Sequence, residues 1–260
     1  MLDRSRCIVL VPIYDRVEPE CESSLAKLED RGYRVRRVQA GAAIDLGRSV
    51  MATQALADGY DELMWIDSDV AFDGDALDRR RDHDLPVVCG GYPKKATAAY
   101  SFHSYRPKIR FGVGGGLIEV YYAATGFLYT RREVYDAVRE REAMPVCNAA
   151  FGMAFTPYFL PQVVPYGDGH WYLAEDYAFC HRAKQCGYKM MLDTTLRLWH
   201  VGRYAYSWED GCGDRQRFER FDVTLSVSPH PDGVVEPGGE VPDEESWVQV
   251  EGALALYRSP

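Results

Sequence analysis

The stretch Glu62-Leu63-Met64-Trp65-Ile66-Asp67-Ser68-Asp69 decides the predicted fold, because a short apolar run ends there on two acidic residues. An uninterrupted apolar run of this length is typical of a buried β-strand. Two carboxylates after such a strand lie at its C-terminal end, where their oxygen atoms suit a divalent cation, and the cation in turn binds a diphosphate. Acidic turns after strands are common, so the rest of the chain has to supply the context.

Strands and helices alternate on both sides of this run. Residues 7–12, 33–39 and 85–89 are short apolar or alternating runs that predict further strands. Apolar residues at helical spacing predict two helices, which end at Gly32 and near Gly59. This order predicts an α/β fold with an open mixed sheet flanked by helices, in which a ligand binds beyond the carboxyl ends of the strands. Three motifs fall at such ends: Pro12-Ile13-Tyr14-Asp15, Asp67-Ser68-Asp69 and Gly90-Gly91.

The second half of the chain is less regular. Residues 119–129 predict a strand and residues 130–138 a helix, whereas residues 144–171 are rich in Pro, Gly and aromatic residues without a clear period. A long irregular segment inside a globular domain is more often a substrate loop than a spacer. A helix over residues 175–186 and a strand within residues 188–200 complete the predicted fold.

Length and charge favour one catalytic domain with an acidic extension. The 260 residues suit one elaborated domain over residues 1–228, with a nucleotide-binding half to about residue 110 and an acceptor half after it. Residues 229–260 carry a net charge of -6 out of the -9 of the whole chain, and their Pro- and Gly-rich composition predicts a C-terminal extension. The near-neutral remainder argues against general attraction to nucleic-acid phosphate.

Three features predict a cytoplasmic protein without a transmembrane segment. No apolar run approaches the roughly 20 residues that cross a bilayer. The first residues lead into a strand and not into a secretory signal. Seven cysteines at irregular spacing suit a reducing compartment better than a disulfide framework.

A set of motifs follows in a fixed order between about residue 7 and residue 202. The motifs are Val11-Pro12-Ile13-Tyr14-Asp15, Gly47-Arg48-Ser49, Asp67-Ser68-Asp69, Tyr122-Ala123-Ala124-Thr125-Gly126-Phe127, Glu175-Asp176-x-x-Phe179-Cys180-x-Arg182, Gly187-Tyr188, Asp193 and His200-x-Gly202. Together they resemble the nucleotide-sugar-dependent glycosyltransferases of the GT-A fold, broadly those of family 2. Gly47 and Ser49 stand where many relatives have Ala and Asn. The ordered set, and not any one motif, carries the resemblance.

The resemblance implies a site for the nucleotide sugar. The segment after the first strand would cradle the base, Arg48 would meet the nucleotide, and Asp67 would lie near the ribose or a water. The motif over residues 122–127 would line the pocket for the donor sugar and the acceptor. The expected donor-binding residues are Pro12, Tyr14, Asp15, Arg48, Asp67, Ser68, Gly91, Thr125 and Gly126.

The resemblance also implies a metal site and a catalytic pair. Asp69, with Asp67 nearby, would hold Mn²⁺ or Mg²⁺, which neutralises the charge on the leaving diphosphate. His200 is the expected third ligand, and its imidazole favours Mn²⁺. Asp176 would take the proton of the attacking hydroxyl, and Glu175 would bind a donor or acceptor hydroxyl. Acidic residues in the first turn of a helix also interact favourably with its dipole, which is a structural explanation for the Glu-Asp pair. In a retaining enzyme Asp176 would not be the base but a positioning or ion-stabilising group.

The predicted function is metal-dependent transfer of a sugar from a nucleotide sugar to an acceptor hydroxyl. A UDP-sugar is the first donor to consider, on family frequency, and a glycan or lipid-linked saccharide is the default acceptor. A modified nucleobase with a hydroxyl group is a further acceptor, although the charge gives it no support. A nucleotidyltransferase is one alternative, but it would require a glycine-rich basic loop straight after the first strand, and residues 12–16 do not provide one. A non-catalytic nucleotide- or sugar-binding module is the other, and the retained acids and His200 speak against it.

Three further groups of side chains have both a functional and a structural interpretation. Lys94 and Lys95 would approach the diphosphate or an acidic acceptor, or lie in a solvated loop. The two Tyr and the Trp of residues 204–208 would stack on an acceptor, or close over the core. The run Arg79-Arg80-Arg81 predicts a solvated helix face.

Overall fold

The computed structural model describes residues 3–95, 99–202, 204–212 and 217–225, and the predicted extension over residues 229–260 lies outside them. The strands of this part are β1 (Cys7–Ile13), β2 (Arg34–Gln39), β3 (Glu62–Ile66), β4 (Val70–Phe72), β5 (Val87–Gly90), β6 (Phe102–His103), β7 (Lys108–Gly112), β8 (Leu117–Val120), β9 (Tyr122–Ala123), β10 (Phe127–Arg131), β11 (Gln162–Tyr166), β12 (Gly169–Leu173), β13 (Met190–Asp193), β14 (Leu198–Val201), β15 (Ala205–Tyr206) and β16 (Arg220–Thr224). The helices are α1 (Pro19–Asp30), α2 (Ile44–Ala57), α3 (Ala76–Asp82), α4 (Arg132–Arg141) and α5 (Glu175–Gln185). No helix in the described ranges is both long and apolar enough to span a membrane.

Seven strands form one mixed sheet in the order β2-β1-β3-β10-β5-β13-β8. Strands β2, β1 and β3 are parallel, β10 runs antiparallel between β3 and β5, and β13 is parallel to β5 beside the antiparallel β8. The predicted α/β fold class, an open mixed sheet flanked by helices, is confirmed. The carboxyl ends of β1, β2, β3, β5 and β13 therefore share one edge of the sheet with the beginning of β10.

The central strand β3 is buried on both faces, because its alternate side chains enter two different hydrophobic clusters. Leu63 and Trp65 pack in the cluster that includes residues of α2, α4 and α5. Met64 and Ile66 pack in the cluster that includes residues of α1 and α3. A strand covered on both faces has a continuous apolar sequence, as the run before Asp67 does.

A second, smaller sheet begins where β3 ends. Strand β4 starts at Val70, so the Asp-x-Asp triplet forms the turn between β3 and β4. Strand β14 pairs antiparallel with β4 and places His200 opposite Val70. The amide of Val201 donates to the carbonyl oxygen of Asp69 at 2.7 Å. This pairing brings the His200 end of β14 to the triplet.

Two predictions for the second half are wrong in detail. The strand predicted over residues 119–129 is divided among β8, β9 and β10; β8 and β10 belong to the large sheet, whereas β9 pairs with β6. Residues 144–171, predicted to be irregular, contain β11 and the first residues of β12, which pair antiparallel as a two-stranded unit. In both cases the partner strand, and not the local periodicity, decides where a strand begins and ends.

The basic run of α3 is not a solvated face, and that prediction is wrong. Arg80 is fully buried and Arg81 is 3% exposed. Arg81 forms an ion pair with Glu62, and its guanidinium also donates to the carbonyl oxygen of Asp3 at 2.8 Å. Arg80 donates to the carbonyl oxygen of Cys89. Helix α3 therefore packs its arginines against the sheet.

Candidate functional site

One arginine joins the Asp-x-Asp triplet to the start of α5. Arg48 lies in α2 and is 4% exposed. Its Nη2 donates to Asp67 Oδ1 at 2.6 Å, and its Nη1 forms an ion pair with Glu175. Burial alone would lower the pKa of Arg48, but the negative charges of Asp67 and Glu175 outweigh it and raise that pKa. Arg48 is therefore a fixed positive charge between the end of β3 and the first turn of α5.

The neighbours of Arg48 in the Gly-Arg-Ser motif have structural partners. A Cβ on Gly47 would lie 2.7 Å from the Cβ of Ala40, so an alanine at position 47 would require Ala40 or α2 to shift. Ser49 is 2% exposed, and its hydroxyl accepts a hydrogen bond from the amide of Phe159 at 3.2 Å. Ser49 therefore ties α2 to the segment before β11, and of this motif it is Arg48 that reaches the acidic residues.

Gly126 allows the start of β10 to approach the triplet closely. The amide of Asp67 donates to the carbonyl oxygen of Gly126 at 3.0 Å. A Cβ on Gly126 would lie 2.6 Å from Asp67 Oδ2 and would overlap the hydroxyl of Tyr92. The position requires glycine because there is no room for a side chain. The predicted donor-pocket motif thus contacts the predicted nucleotide-binding acid.

Asp69, the second acid of the triplet, faces two basic side chains. Lys95 Nζ donates to Asp69 Oδ2 at 2.6 Å, and His200 Nε2 lies 3.5 Å from the same oxygen. His200 Nδ1 is 2.9 Å from the carbonyl oxygen of Pro93, and a carbonyl only accepts, so Nδ1 carries a proton. Burial would raise the pKa of Asp69, but the contacts with His200 and Lys95 outweigh it and hold that pKa below its ordinary value.

Asp69 and His200 are the residues here that fit a divalent cation best. They pair a carboxylate oxygen with an imidazole nitrogen whose ring is held through its other N–H, a common arrangement around metal-binding histidines. Asp67 instead directs Oδ1 at Arg48. Among the described residues, no group of three His, Cys, Asp or Glu side chains is arranged to hold a metal. A cation at Asp69 would therefore take further ligands from phosphate or water, as Mg²⁺ often does.

Asp176 has a raised pKa, in contrast to Asp69. Burial, and after it the negative charge of Glu175, raise the pKa of Asp176 to about 6. Asp176 Oδ1 accepts a hydrogen bond from the amide of Tyr177 at 2.7 Å. A carboxylate that titrates near neutral pH is suited to accept a proton from a substrate.

The charges of the site are unbalanced, and two of its polar atoms lack partners. Of the four carboxylates in the triplet and the Glu-Asp pair, three contact the two permanent cations: Asp67 and Glu175 contact Arg48, and Asp69 contacts Lys95. A negatively charged diphosphate needs a further cation to approach them. The buried atoms Thr125 Oγ1 and Arg48 Nε have no hydrogen-bond partner within the described residues. Each is able to satisfy its hydrogen bond with a ligand.

The other residues predicted to bind the donor also lie at this edge of the sheet, but they differ in burial. Pro12 is buried in β1 opposite Val38, and Tyr14 just beyond it is 73% exposed. Asp15 is exposed, and Ser68 is half-buried in the turn between β3 and β4. Gly91 is buried after β5, where a Cβ would lie 3.0 Å from the ring of Phe102, so packing alone explains this glycine.

Lys94, Lys95 and Trp208 each had a functional and a structural interpretation from the sequence, and the structure places these three side chains in different surroundings. Lys95 binds Asp69, whereas Lys94 is exposed. Trp208 is 2% exposed and lies between Phe111 and Arg197, so it belongs to the core and not to an acceptor platform. No sequence pattern assigned a role to Tyr92 or Pro93, since their roles come from contacts between loops.

A cavity of about 520 Å³ lies beside the second half of α5. Tyr121, Tyr122, Tyr166, His181 and Lys184 are among its lining residues. Helix α5 begins with Glu175 and Asp176, so the helix that carries these acids also forms one wall of the cavity. Aromatic faces mixed with a few polar groups are typical of small-molecule sites.

Comparisons with known proteins support the fold alone. No protein-family model and no curated protein matches the chain. Among solved structures, the chain is similar to A197 from STIV, with a TM-score of 0.50 and 18% identity over 76% of this chain and 86% of that one. It is also similar to S. aureus TarS in complex with UDP-GlcNAc (TM-score 0.39, 14% identity, 77% and 57% covered). A third is GalNAc-T7 with UDP, GalNAc and Mn²⁺ (TM-score 0.39, 11% identity, 76% and 44% covered).

Proposed function

We propose that the protein is a metal-dependent glycosyltransferase that moves a sugar from a nucleotide-sugar donor to an acceptor hydroxyl. The observation that supports this most is the contact of Arg48 with both Asp67 and Glu175. It brings the start of α5, and with it Asp176, to the end of β3. Ligands of open α/β sheets bind at this edge. The motifs that resemble donor-binding and catalytic segments therefore meet at one place suited to a ligand.

The proposed donor is a nucleoside-diphosphate sugar. A divalent cation bound at Asp69 and His200 would neutralise the charge that develops on the leaving diphosphate. The chain contributes by holding the two ligands in place, because β4 and β14 fix their backbones and the carbonyl of Pro93 orients the imidazole. Imidazole favours Mn²⁺ over Mg²⁺. A UDP-sugar is the first donor to test, because UDP-sugars are common donors in the family that the motifs resemble.

Asp176 is the proposed general base. The acceptor oxygen forms its bond to the anomeric carbon while the bond from that carbon to the diphosphate oxygen breaks, and the hydroxyl proton passes to Asp176. The raised pKa of Asp176, about 6, suits this transfer because the carboxylate is charged at neutral pH yet still basic. Arg48 holds one oxygen of Glu175, which leaves the other able to accept from a sugar hydroxyl. This scheme applies to an inverting enzyme.

The proposed acceptor is a saccharide. The cavity beside α5 presents tyrosine rings together with His181 and Lys184, and flat rings with polar neighbours suit the apolar face and the hydroxyls of a sugar. Helix α5 rises about 1.5 Å per residue, so His181 lies roughly 8 Å along the helix from Asp176. A sugar in the cavity would therefore be within a few sugar-ring lengths of the proposed base.

The test is turnover of a panel of nucleotide sugars with Mn²⁺, measured as release of nucleoside diphosphate with and without saccharide acceptors. We expect release that EDTA abolishes and Mn²⁺ restores. Asp176→Asn should keep donor binding and lower transfer by roughly 10²- to 10⁴-fold. Asp69→Ala should remove the metal dependence of donor binding. If no donor turns over under any condition, the protein is not a glycosyltransferase, and binding without turnover would favour the non-catalytic alternative.

A further inference from the structure

Lys95 contacts the same carboxylate that the proposed metal site would use. Its ammonium group donates to Asp69 Oδ2 at 2.6 Å, and His200 Nε2 is 3.5 Å from the same oxygen. His200 carries a proton on Nδ1, which faces the carbonyl of Pro93. Nε2 is therefore the ring atom that faces the carboxylate, and the Lys95 ammonium group adds a positive charge on the same carboxylate oxygen.

The chain makes room for the Lys95 side chain. Gly202 follows β14, and a Cβ at this position would lie 3.1 Å from Lys95 Cδ and 3.4 Å from Cε. The segment that supplies His200 thus also leaves space for the lysine. The Lys95 side chain is 33% exposed, so the ammonium group is able to swing into solvent without opening the core. Its neighbour Lys94 is exposed.

We propose that Lys95 is a displaceable internal cation that competes with the divalent metal for Asp69. In the metal-free protein its ammonium group neutralises the carboxylate, and it leaves when the metal binds. Metal binding to the protein alone is then weak, and it strengthens when a diphosphate brings ligands for the metal and a negative charge for the released lysine. The proposal deepens the proposed function and depends on it only in treating Asp69 and His200 as a metal site.

The test is calorimetric titration of Mn²⁺ alone into the wild type, Lys95→Met and Lys94→Met. Methionine keeps an apolar chain of similar length and removes the charge. Lys94→Met removes the same charge one residue away, so it measures the long-range electrostatic effect alone. We expect Lys95→Met to bind Mn²⁺ about three- to tenfold more tightly than the wild type, and Lys94→Met to stay within about twofold of it. Adding Asp69→Asn to either protein should abolish this binding.

Gly202→Ala provides a second variant in case Lys95→Met folds poorly. The added methyl group pushes the lysine stem without changing any charge or ligand, so Mn²⁺ affinity should rise in the same direction by a smaller factor. Equal Mn²⁺ affinities of Lys95→Met and Lys94→Met would overturn the proposal, because the ammonium group would then not occupy the metal position. Weaker binding by Lys95→Met, or no Mn²⁺ binding by any of the proteins, would overturn it as well.

The binding experiment is independent of turnover, so the two proposals can fail separately. Unchanged Mn²⁺ affinities in a protein that transfers a sugar would refute the role of Lys95 and leave the enzyme proposal intact. Tighter Mn²⁺ binding by Lys95→Met in a protein that turns over no nucleotide sugar would support the role of Lys95 and refute the enzyme.

Discussion

Gly126 occupies the point where the end of β3 meets the start of β10, and Asp67 and Tyr92 fill the space that a side chain would need. Gly126→Ala should therefore displace one of them and weaken binding of the nucleotide-sugar donor by about tenfold or more, because small displacements of positioning groups are costly. The measurement is the donor dissociation constant by calorimetry, together with the thermal midpoint.

Gly116→Ala is the matched control for Gly126→Ala. A Cβ on Gly116 meets nothing within 4 Å, and Gly116 is not among the positive-φ glycines. Donor affinity should be unchanged in this variant. If Gly126→Ala also binds the donor normally, the close approach of Gly126 to Asp67 has no part in donor binding.

Asp176 destabilises the folded protein when it is charged. Its pKa rises from 3.8 to about 6, chiefly through burial and then through the charge of Glu175. The folded state thus binds this proton more tightly than the unfolded chain, so the stabilisation by protonation is complete below about pH 4 and is lost as the pH rises through about 6. Asp176→Asn, always neutral, should raise the free energy of unfolding by roughly 3 kcal/mol at pH 7.5 and by little at pH 4.

Urea unfolding of the wild type and Asp176→Asn at both pH values measures this difference. Under the proposed function, the same titration should appear in the wild-type protein as an acid limb of the transfer rate near pH 6, because a protonated Asp176 cannot accept the acceptor proton. Equal gains in stability at both pH values would show that Asp176 does not titrate near neutral pH in the folded protein.

At the scale of elements, α3 is joined to the sheet by buried charge. Arg81 has a side chain 2% exposed and pairs with Glu62 of β3, whose side chain is 16% exposed. Arg81→Ala should lower the free energy of unfolding by about 3–5 kcal/mol, because it leaves a largely buried carboxylate without its partner. Arg139→Ala is the control, since Arg139 and its partner Asp136 are both about half exposed in α4, and it should cost less than about 1 kcal/mol. Urea unfolding of both variants checks the difference; similar losses would contradict it.

The elements that the sequence predicts well are those whose pattern is local. Strand β3 has the predicted bounds, Glu62–Ile66, because an apolar run that ends on an acidic turn needs no partner to be recognised. Helix α5 also begins at the predicted residue. The run over residues 119–129 failed because β8, β9 and β10 pair with different strands. The pairing of β4 with β14, which brings His200 to Asp69, could not be predicted for the same reason, because it depends on strands that are distant in the sequence.

The sequence identified the charged members of the candidate site better than their partners. Asp67, Asp69 and Glu175 belong to motifs that a family resemblance can recognise, and the structure brings them near Arg48 or Lys95. The contact of Lys95 with Asp69 has no periodicity and joins two loops, so nothing in the pattern separated it from the exposed Lys94. Contacts of this kind follow from the packing of the sheet edge.

At the scale of the whole molecule, Arg48 is the contact that connects the two parts of the candidate site. It is fixed in α2, and it binds Asp67 at the end of β3 and Glu175 at the start of α5. Removing it in Arg48→Met leaves both carboxylates without a cation, so the unfolding free energy should fall by about 3 kcal/mol or more and donor binding should weaken.

A double-mutant cycle separates this connection from simple loss of charge. If Arg48 and Glu175 act as a pair, Glu175→Gln should cost much less stability in the Arg48→Met background than in the wild type, with a coupling energy of about 1–3 kcal/mol. The pair of Arg36 with Asp58, whose side chains are 26% and 51% exposed, is the control and should couple by less than about 1 kcal/mol. Additive effects of Arg48→Met and Glu175→Gln on both stability and donor affinity would mean that the start of α5 is positioned by the core alone. Coupling in stability without coupling in donor affinity would mean that the pair of Arg48 and Glu175 stabilises the fold but does not contribute to donor binding.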